Sequence, residues 1–310
     1  MTAPLSLDIV IVNWNAGDLL RRCLAALPAA LDPSFTLATV VVVDNASTDG
    51  SLTGLDTLPL PLTIVRNATN RGFGAACNQG AAAGRADYLL FLNPDVYVGS
   101  RALSVPLRFL EDPAHAEIGV AGIQLRDAGG HVARSCTRQP TPAMFWARIV
   151  GLDSIAPSLV PSWFMTDWDH ASTREVDHVI GAFYVIRRRL FGQLRGFDER
   201  FFVYLEDLDL SVRARASGSR VVFLADTHAE HTGGGTSDQV KASRIAYSLH
   251  SRIRYGFKHF GPAMATLLAA GTLVIEPFPR LARAIARGSV SEARDTCVGF
   301  ARLWRRLVAG

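Results

Sequence analysis

A chain of 310 residues is long enough to bury a large core in one domain or two. Its hydrophobic share of 49% and charged share of 19% exclude a disordered or fibrous protein. The net charge of +4 hides a division: residues 239–310 carry 12 Lys and Arg against three acids (+9), whereas residues 1–238 carry 20 against 25 (−5). The acidic residues 1–238 favour the binding of cations, and the basic residues 239–310, here called the basic tail, favour an anionic partner such as a lipid surface.

The cysteines and the apolar stretches indicate the compartment. Four scattered cysteines lack metal-binding spacing and predict reduced, mostly buried thiols: Cys23, Cys77, Cys136 and Cys297. No basic segment followed by a long apolar run opens the chain, so we expect no signal peptide. The longest stretch free of ionisable residues, Phe260 to Ile275, has 16 residues, and a helix needs roughly 17–25 to cross a bilayer. We therefore expect a cytoplasmic chain without a membrane span.

The first 125 residues alternate strand-like and helix-like patterns. Short apolar runs predict four buried strands, at residues 8–12, 39–43, 62–65 and 88–92, and a fifth is predicted at residues 119–125. Amphipathic or small-residue helices are predicted from Asp18 and up to Ala83. This order predicts a doubly wound, mostly parallel α/β sheet, whose ligands bind at the carboxyl ends of the strands.

The remaining chain predicts a less regular middle and a helical end. Residues 136–170 hold many prolines and tryptophans and predict a long irregular excursion, and residues 176–187 return to a strand or a strand–helix junction. Residues 239–310 have helical patterns, interrupted at residues 276–279. The sequence therefore predicts two domains, an α/β domain at residues 1–238 and a basic, amphipathic helical extension at residues 239–310.

Polar side chains follow two of the predicted strands. Asp44 ends a buried strand, where a carboxylate can accept hydrogen bonds from a base or a ribose; an ordinary helix cap is the alternative. Gly72 and Gly74 superficially resemble a dinucleotide fingerprint, but they follow the third strand and Cys77 takes the third small position. A tight glycine turn beside Arg71 still suits the close approach of a pyrophosphate.

Two further positions suit a divalent cation. Asp95 follows the apolar strand at residues 88–92, and a carboxylate at a strand end can hold a hard cation that keeps substrate phosphates as its other ligands. The Asn-Pro-Asp sequence is equally compatible with a plain turn. His231 precedes a glycine-rich segment, residues 232–237, and is a candidate phosphate or metal contact, although a lone histidine is usually structural.

Three carboxylates lie within four positions, at Glu206, Asp207 and Asp209, beside large apolar residues. If partly buried, they would raise one another's pKa values. On a helix, Glu206 and Asp209 share a face, and Asp207 points roughly 100° away. One carboxylate can then face a cleft while another anchors the helix, and helix-dipole pairing alone explains only one or two of them.

In this order the motifs resemble the family 2 glycosyltransferases with the GT-A fold, and among these the bacterial rhamnosyltransferase-like branch. The motifs are IVNWN at residues 11–15, VVDNASTDG at 42–50, NRGFGAACNQG at 70–80, LNPD at 92–95, GAF at 181–183, GFDERFF at 196–202, EDLDL at 206–210, and His231 before Gly233. The likeness extends over residues 8 to about 237. Each motif alone is weak, but the set is specific.

The resemblance implies how the donor nucleotide-sugar is held. Asn13 and Asp44 would contact the nucleoside, with Asn70 and Arg71 nearby. Asp95 matches the last acid of the family's DxD motif and would hold Mg²⁺ or Mn²⁺ on the donor diphosphate.

Asn93 stands where that motif has its first acid, which removes one possible ligand. His231 would be a further metal or phosphate contact. Asp207 matches the family's catalytic base, and Glu206 would support it or touch the acceptor.

The resemblance and the basic tail together predict an inverting, metal-dependent glycosyltransferase of cell-envelope polysaccharide assembly. We expect it to transfer L-rhamnose from dTDP-rhamnose to a glycan or a polyprenyl-diphosphate-linked sugar at the inner face of the membrane. Alternatives are a UDP-hexose-dependent glucosyl- or galactosyltransferase and a non-catalytic nucleotide-sugar-binding membrane scaffold. The basic helices predict anionic lipid as a partner, with a solvated helical bundle as the alternative; nucleic acid is not expected.

Overall fold

The computed structural model describes residues 5–156, 163–233 and 241–309, and the chain divides into two compact units. The first unit comprises residues 1–138, 164–199 and 206–236, and the second comprises residues 139–163, 200–205 and 237–310. The second unit thus adds two earlier segments to the predicted helical extension. The domain bounds 1–238 and 239–310 stay a prediction.

The helices and strands follow one another along the chain with these bounds: β1 (Leu5–Asn13), α1 (Asp18–Ala26), β2 (Phe35–Asp44), β3 (Leu62–Arg66), α2 (Phe73–Ala82), β4 (Tyr88–Leu92), β5 (Val96–Val98), α3 (Ser104–Glu111), β6 (Ile118–Arg126), β7 (Cys136–Thr137), α4 (Pro142–Ile149), α5 (Leu152–Ile155), β8 (Arg174–Val176), β9 (His178–Val179), β10 (Phe183–Arg187), α6 (Arg188–Gln193), α7 (Glu206–Ala216), β11 (Arg220–His231), α8 (Lys241–His259), α9 (Pro262–Val274), α10 (Pro277–Ala286) and α11 (Val290–Ala309). Helices α4, α5 and α8 to α11 belong to the second unit, and the other elements belong to the first.

Among the described residues, the first unit contains a nine-stranded sheet in the order β3-β2-β1-β4-β10-β6-β11-β5, with β8 also paired to β11. The four strands from β3 to β4 are parallel. Strand β10 is antiparallel to both of its neighbours, β4 and β6, and β11 is parallel to β6. The α/β class and the main strands are confirmed, and the inserted β10 makes the sheet mixed.

Alternating side chains on each central strand explain why helices cover both faces of the sheet. Ile9 and Ile11 of β1 lie in a core that includes residues of α1 and α3. Val10 and Val12 lie in a second core that includes residues of α2, α6 and α7. Because neighbouring side chains of a strand point to opposite faces, an all-apolar strand needs a helix layer on each side. The doubly wound arrangement follows.

The strand register gathers several polar residues at one edge of the sheet. Asn13 lies opposite Asp44 on the neighbouring strand. Ile11 lies opposite Leu92, the last residue of β4, and Leu92 lies opposite Phe183, the first residue of β10. The polar residues that follow β1, β2 and β4 therefore leave the sheet at the same end.

One local expectation was wrong, and one was confirmed. The segment 136–170 is not irregular throughout, because it contains β7, α4 and α5 in the part that the structure describes; residues 157–162 lie outside it. The helical pattern is interrupted near residue 276 as expected, since α9 ends at Val274 and Pro277 is the first residue of α10. Proline suits this position because its missing N–H has no partner in a first helical turn anyway.

In the second unit, α8 and α11 pack through a small apolar core: Ala246, Leu249, Ile253, Phe300 and Leu303. Buried Glu276 accepts hydrogen bonds from Arg252 and from Arg280 at 2.7 Å. The stretch Pro262–Ala286 is long and apolar enough to cross a membrane by length and composition alone, with 28% of its apolar window buried. The expectation that the stretch from Phe260 to Ile275 does not span a membrane stays a prediction.

Helix α2 packs so closely on the sheet that one of its positions requires glycine. A Cβ atom on Gly80 would lie 2.3 Å from Cγ1 of Val10 and 3.2 Å from a methyl carbon of Val43. We expect Gly80→Ala to lower the free energy of unfolding by about 1–3 kcal/mol because it overpacks this core. Gly192 of α6 has nothing within 4 Å of such an atom. In urea titrations, Gly192→Ala should therefore be as stable as the wild type or more stable. An equal loss of stability in Gly80→Ala and Gly192→Ala would contradict the close packing of α2 on the sheet.

Candidate active site

Asn13 and Asp44 form the polar end of β1 and β2. The Nδ2 of Asn13, which has two hydrogens, lies within hydrogen-bond distance of Oδ1 of Asp44 (2.8 Å), Oγ of Ser51 (2.8 Å) and Oγ of Ser47 (3.0 Å). Asn13 is fully buried, and Asp44 is 5% exposed. Both Asp44 oxygens accept a hydrogen bond, the second from the Ser47 N–H at 3.3 Å, and each keeps a lone pair for a further donor. Asn13 therefore holds Asp44 through its amide nitrogen, and its Oδ1 is buried without a hydrogen-bond partner.

The glycine turn before α2 is tied to the same edge. Oδ1 of Asn70 accepts the Gly72 N–H at 2.9 Å, and the carbonyl of Gly72 accepts Nδ2 of Asn45 at 3.0 Å. Gly72 has φ 88°, a conformation that glycine adopts without strain. Arg71 is exposed and lies 4.0 Å from a Glu199 carboxylate oxygen. Asn70 and Arg71, which are predicted to lie near the donor nucleotide-sugar, thus belong to a turn that is hydrogen-bonded to the residue after β2.

Asp95 and His231 are brought together, as the cation prediction requires. Nε2 of His231 lies 3.5 Å from Oδ2 of Asp95, because β5 and β11 pair with His231 opposite Val96. Asp95 is buried, and its backbone oxygen accepts the Thr232 N–H at 3.2 Å. Asn93 is half-buried, and its carbonyl accepts the Sγ–H of Cys23 at 3.6 Å. Residues 234–237 of the glycine-rich segment lie outside the described residues.

Asp95 and His231 fit a cation that takes its remaining ligands from the substrate. Within residues 5–156, 163–233 and 241–309, no cluster of three or more His, Cys, Asp or Glu residues could hold a metal ion. One carboxylate and one imidazole suit Mn²⁺ or Mg²⁺ bound jointly with phosphate oxygens and water. The assignment of the cation to Asp95 and His231 stays a prediction.

Helix α7 separates the three clustered acids as its periodicity requires. Glu206 and Asp209 are buried, and the Asp207 side chain is 19% exposed. Asp209 is neutralised by Arg213, one turn along the helix, through a 2.7 Å hydrogen bond from Nε. The chain enters this helix through Tyr204 and Leu205, both with positive φ (71° and 67°). Such backbone is strained for residues with a Cβ and is concentrated at functional sites.

The electrostatics of Glu206 differ from those of its neighbours. Burial, and secondly the nearby Asp207 carboxylate, raise the pKa of Glu206 well above its ordinary value. Its Oε2 is buried without a hydrogen-bond partner. A neutral carboxyl group is the form that such surroundings favour. The expectation that clustering raises a carboxylate pKa therefore applies to Glu206.

Asp207 is fixed by the loop before β10. Its Oδ2 accepts the N–H of Gly181 at 2.7 Å. The next residue, Ala182, accepts the N–H of Asn93 at 3.0 Å through its carbonyl. A short path of backbone hydrogen bonds thus joins Asp207 to the strand end that carries Asp95. The two predicted centres of chemistry, base and cation, belong to one edge of the sheet.

Sequence reasoning missed two residues that contact Asp207. Gly181 was recognised only as part of a motif, and His178 was not singled out. Nε2 of buried His178 lies 3.6 Å from Oδ2 of Asp207. Ser211, which contacts the other ring nitrogen of His178 at 3.0 Å, lies four residues after Asp207 on α7. That helical spacing is the sequence signal that could have revealed Ser211.

Comparison with known proteins supports the fold and the enzyme class. Residues 8–149, which run from β1 to α4, match the family model of glycosyl transferase family 2. The chain is a glycosyltransferase similar to family 2. The GT-A fold and the enzyme class predicted from the motifs are thereby confirmed.

Two bacterial relatives of this glycosyltransferase have assigned activities. N-acetylglucosaminyl-diphospho-decaprenol L-rhamnosyltransferase of Mycobacterium tuberculosis is 29% identical over 270 residues, which cover 81% of this chain and 83% of the relative. Rhamnosyltransferase WbbL of Escherichia coli is 25% identical over 169 residues, which cover 54% of this chain and 61% of the relative.

Solved structures share the fold of this glycosyltransferase at low identity. Mannosyltransferase PcManGT from Pyrobaculum calidifontis, in complex with GDP-Man and Mn²⁺, superposes with a TM-score of 0.54 at 20% identity over 97% of this chain and 81% of that one. S. aureus TarS 1-349, in complex with UDP-GlcNAc, superposes with a TM-score of 0.52 at 16% identity over 98% and 92%. These likenesses support the fold alone.

The buried Glu206 gives the glycosyltransferase a pH-dependent stability with a definite sign. In the unfolded chain, glutamate titrates near pH ~4.3, whereas the folded chain holds the proton of Glu206 to higher pH. Between the pKa of Glu206 in the unfolded chain and its higher pKa in the folded chain, the folded state binds one more proton than the unfolded state. The free energy of unfolding therefore falls as pH rises through this range. We expect Glu206→Gln to raise that free energy at neutral pH by on the order of 1 kcal/mol, and to lose the advantage below the unfolded pKa.

Chemical denaturation across this pH window measures the effect. Glu117→Gln is the matched control, because Glu117 is exposed beside Arg220 and should change stability little. A Glu206→Gln protein that is less stable than the wild type at neutral pH would show that Glu206 is ionised and paired.

Proposed function

We propose that the protein transfers L-rhamnose from dTDP-rhamnose, with inversion, to a polyprenyl-diphosphate-linked sugar in cell-envelope polysaccharide assembly. The carrying observation is the hydrogen-bonded path from Asp207 through Gly181 and Ala182 to Asn93, two residues before Asp95. It supports a base and a cation site acting on one substrate pair. The transferred sugar and the acceptor class are inferred from the activity of the M. tuberculosis relative.

Asp207 serves as the base in this proposal. Its partly exposed carboxylate takes the proton of the acceptor hydroxyl while that oxygen attacks the anomeric carbon of the donor sugar. The bond to the diphosphate oxygen breaks, and the nucleoside diphosphate leaves with the electron pair. A single displacement of this kind inverts the anomeric configuration. Glu206, buried and protonated, would support Asp207 without adding a second negative charge to the cleft.

The donor would lie along the ends of β1, β2 and β4. Asp44 would accept hydrogen bonds from the nucleoside, held in place by Asn13, with Asn70 and Arg71 nearby. Asp95 and His231 would hold Mg²⁺ or Mn²⁺, and Asn93 would contribute an amide beside them. When bound, the cation would neutralise charge on the leaving diphosphate.

Replacement of the base separates chemistry from binding. We expect Asp207→Asn to reduce transfer by at least about 100-fold, the lower range for a positioned acid–base group, while donor binding persists. Donor binding is measured as a thermal shift with dTDP-rhamnose and UDP-hexoses, each with and without Mn²⁺. Arg215→Gln on the same helix is the control, because Arg215 pairs with Asp177 near the surface.

The donor series also tests the competing functions. A shift with UDP-glucose or UDP-galactose alone would replace the rhamnosyl assignment with a glucosyl- or galactosyltransferase. Full transfer by Asp207→Asn would remove this residue from the mechanism. Binding without transfer in the wild type, with every acceptor supplied, would favour the non-catalytic scaffold.

The second unit supports a membrane-associated acceptor. Helix α9 exposes Leu267 and Val274, and α10 exposes Phe278 and Ile285; in each pair the residues are seven positions apart and share a face. Arg283 and Arg287 of the same segment are also exposed. Apolar faces beside arginines are typical of helices that lie in an anionic lipid interface. We therefore propose peripheral binding at the inner membrane face.

Vesicle flotation tests this surface. We expect the protein to float with vesicles containing phosphatidylglycerol, and less with phosphatidylcholine alone, because lipid charge adds to apolar burial. The double variant Phe278→Ser/Ile285→Ser should lose most of this binding. Val132→Ser removes an exposed apolar side chain from the first unit and should float like the wild type. Equal flotation of both variants would place lipid binding elsewhere.

A further inference from the structure

Behind Asp207, three side chains form a buried polar row. Tyr184, His178 and Ser211 come from β10, β9 and α7, and all belong to the first unit. The hydroxyl oxygens of Tyr184 and Ser211 lie 3.0 Å apart, and Oγ of Ser211 lies 3.0 Å from Nδ1 of His178. The other ring nitrogen, Nε2, faces Oδ2 of Asp207 at 3.6 Å. The row therefore ends at the carboxylate proposed as the base.

The protonation of this row follows from its burial. Burial lowers the pKa of His178 although Asp207 opposes this, and burial raises the pKa of Tyr184. His178 is thus a neutral imidazole with one N–H, and Tyr184 keeps its hydroxyl proton. A carboxylate accepts but does not donate, so Asp207 favours the tautomer whose N–H is at Nε2. Nδ1 then accepts from Ser211, and Ser211 accepts from Tyr184.

We propose that His178 is a positioning residue for the transfer reaction, directing its Nε2–H at Asp207 Oδ2 so that the base keeps one orientation. This inference rests on the proposed role of Asp207. The N–H of Gly181 already bonds to the same oxygen at 2.7 Å, so two donors would fix Oδ2, while Oδ1, which accepts the Leu208 N–H at 2.8 Å, keeps a lone pair for the acceptor hydroxyl. A separation of 3.6 Å exceeds hydrogen-bond length, and such contacts at catalytic groups commonly tighten when substrate binds.

Substitutions that keep one or the other ring nitrogen isolate this role. The amide of His178→Gln can reach the Nε2 position, whereas the shorter amide of His178→Asn reaches only the Nδ1 position and keeps the Ser211 contact. We expect His178→Asn to lower kcat by about 10- to 100-fold, the range for one hydrogen bond to a charged group. The donor KM should stay within about twofold, and His178→Gln should recover most of kcat.

The control is His170, a second buried histidine of the same unit, whose Nδ1 contacts the Trp168 carbonyl at 3.1 Å. His170→Asn should reduce stability but leave kcat per folded molecule unchanged. A merely structural His178 would behave in the same way. Thermal melts establish the folded fraction of each variant. Because both His178 variants carry a polar amide, their kcat values can be compared even if each variant is modestly less stable than the wild type.

A measurement without turnover completes the test. Long-range ¹⁵N–¹H correlation spectra of the histidine rings should show His178 as the Nε2–H tautomer, with its Nε2 signal displaced in Asp207→Asn. An Nδ1–H tautomer, or wild-type kcat in His178→Asn, would overturn the inference. An active Asp207→Asn would instead overturn the proposed base, so the two failures are distinguishable.

Discussion

The hydrogen bond from the Gly181 N–H to Asp207 is the interaction on which the site depends. It joins the first turn of α7 to the loop before β10, and the adjacent Ala182 carbonyl continues the connection to Asn93 at the end of β4. Glycine suits the donating position, because a Cβ there would lie 3.1 Å from the accepting oxygen and would push the Asp207 carboxylate away. Strand β10, antiparallel between β4 and β6, makes this possible. A wholly parallel sheet would begin that strand at the opposite edge.

Several carboxylates at one edge of the sheet repel one another, and the surroundings stabilise each of them in a different way. Asp209 is paired with Arg213, Asp44 accepts hydrogen bonds from Asn13 and Ser47, and Glu206 favours the protonated form. The pairing of Asp209 and the protonation of Glu206 lower the negative charge around Asp207, which alone of the three α7 acids keeps an exposed edge. A base that must remain ionised beside a negatively charged donor benefits from neutral neighbours, because like charges within ~4–6 Å oppose ionisation.

The sequence predicted the fold more completely than it predicted the site. Continuous apolar runs such as residues 88–92 define buried strands without reference to the rest of the chain, and β4 has those bounds. The separation of Glu206 from Asp207 likewise follows from helical geometry alone. The contacts of Asp207 with Gly181 and His178 join residues 26 and 29 positions apart, and no local periodicity encodes them. Asn13 shows the same limit, since its burial depends on Ser47 and Ser51 from another loop.

The substitution of Asn93 for an acid changes how a cation would be retained. Asp95 would then provide the one carboxylate of the pair, and His231, 3.5 Å away, would provide an imidazole nitrogen. Such a site carries a single negative charge, so a divalent cation gains most of its binding energy from the two phosphates of the donor. Donor and cation should therefore bind as a unit. This coupling would also make the net charge of −5 over residues 1–238 compatible with an anionic substrate, because a cation that accompanied the donor would offset the repulsion at this edge of the sheet.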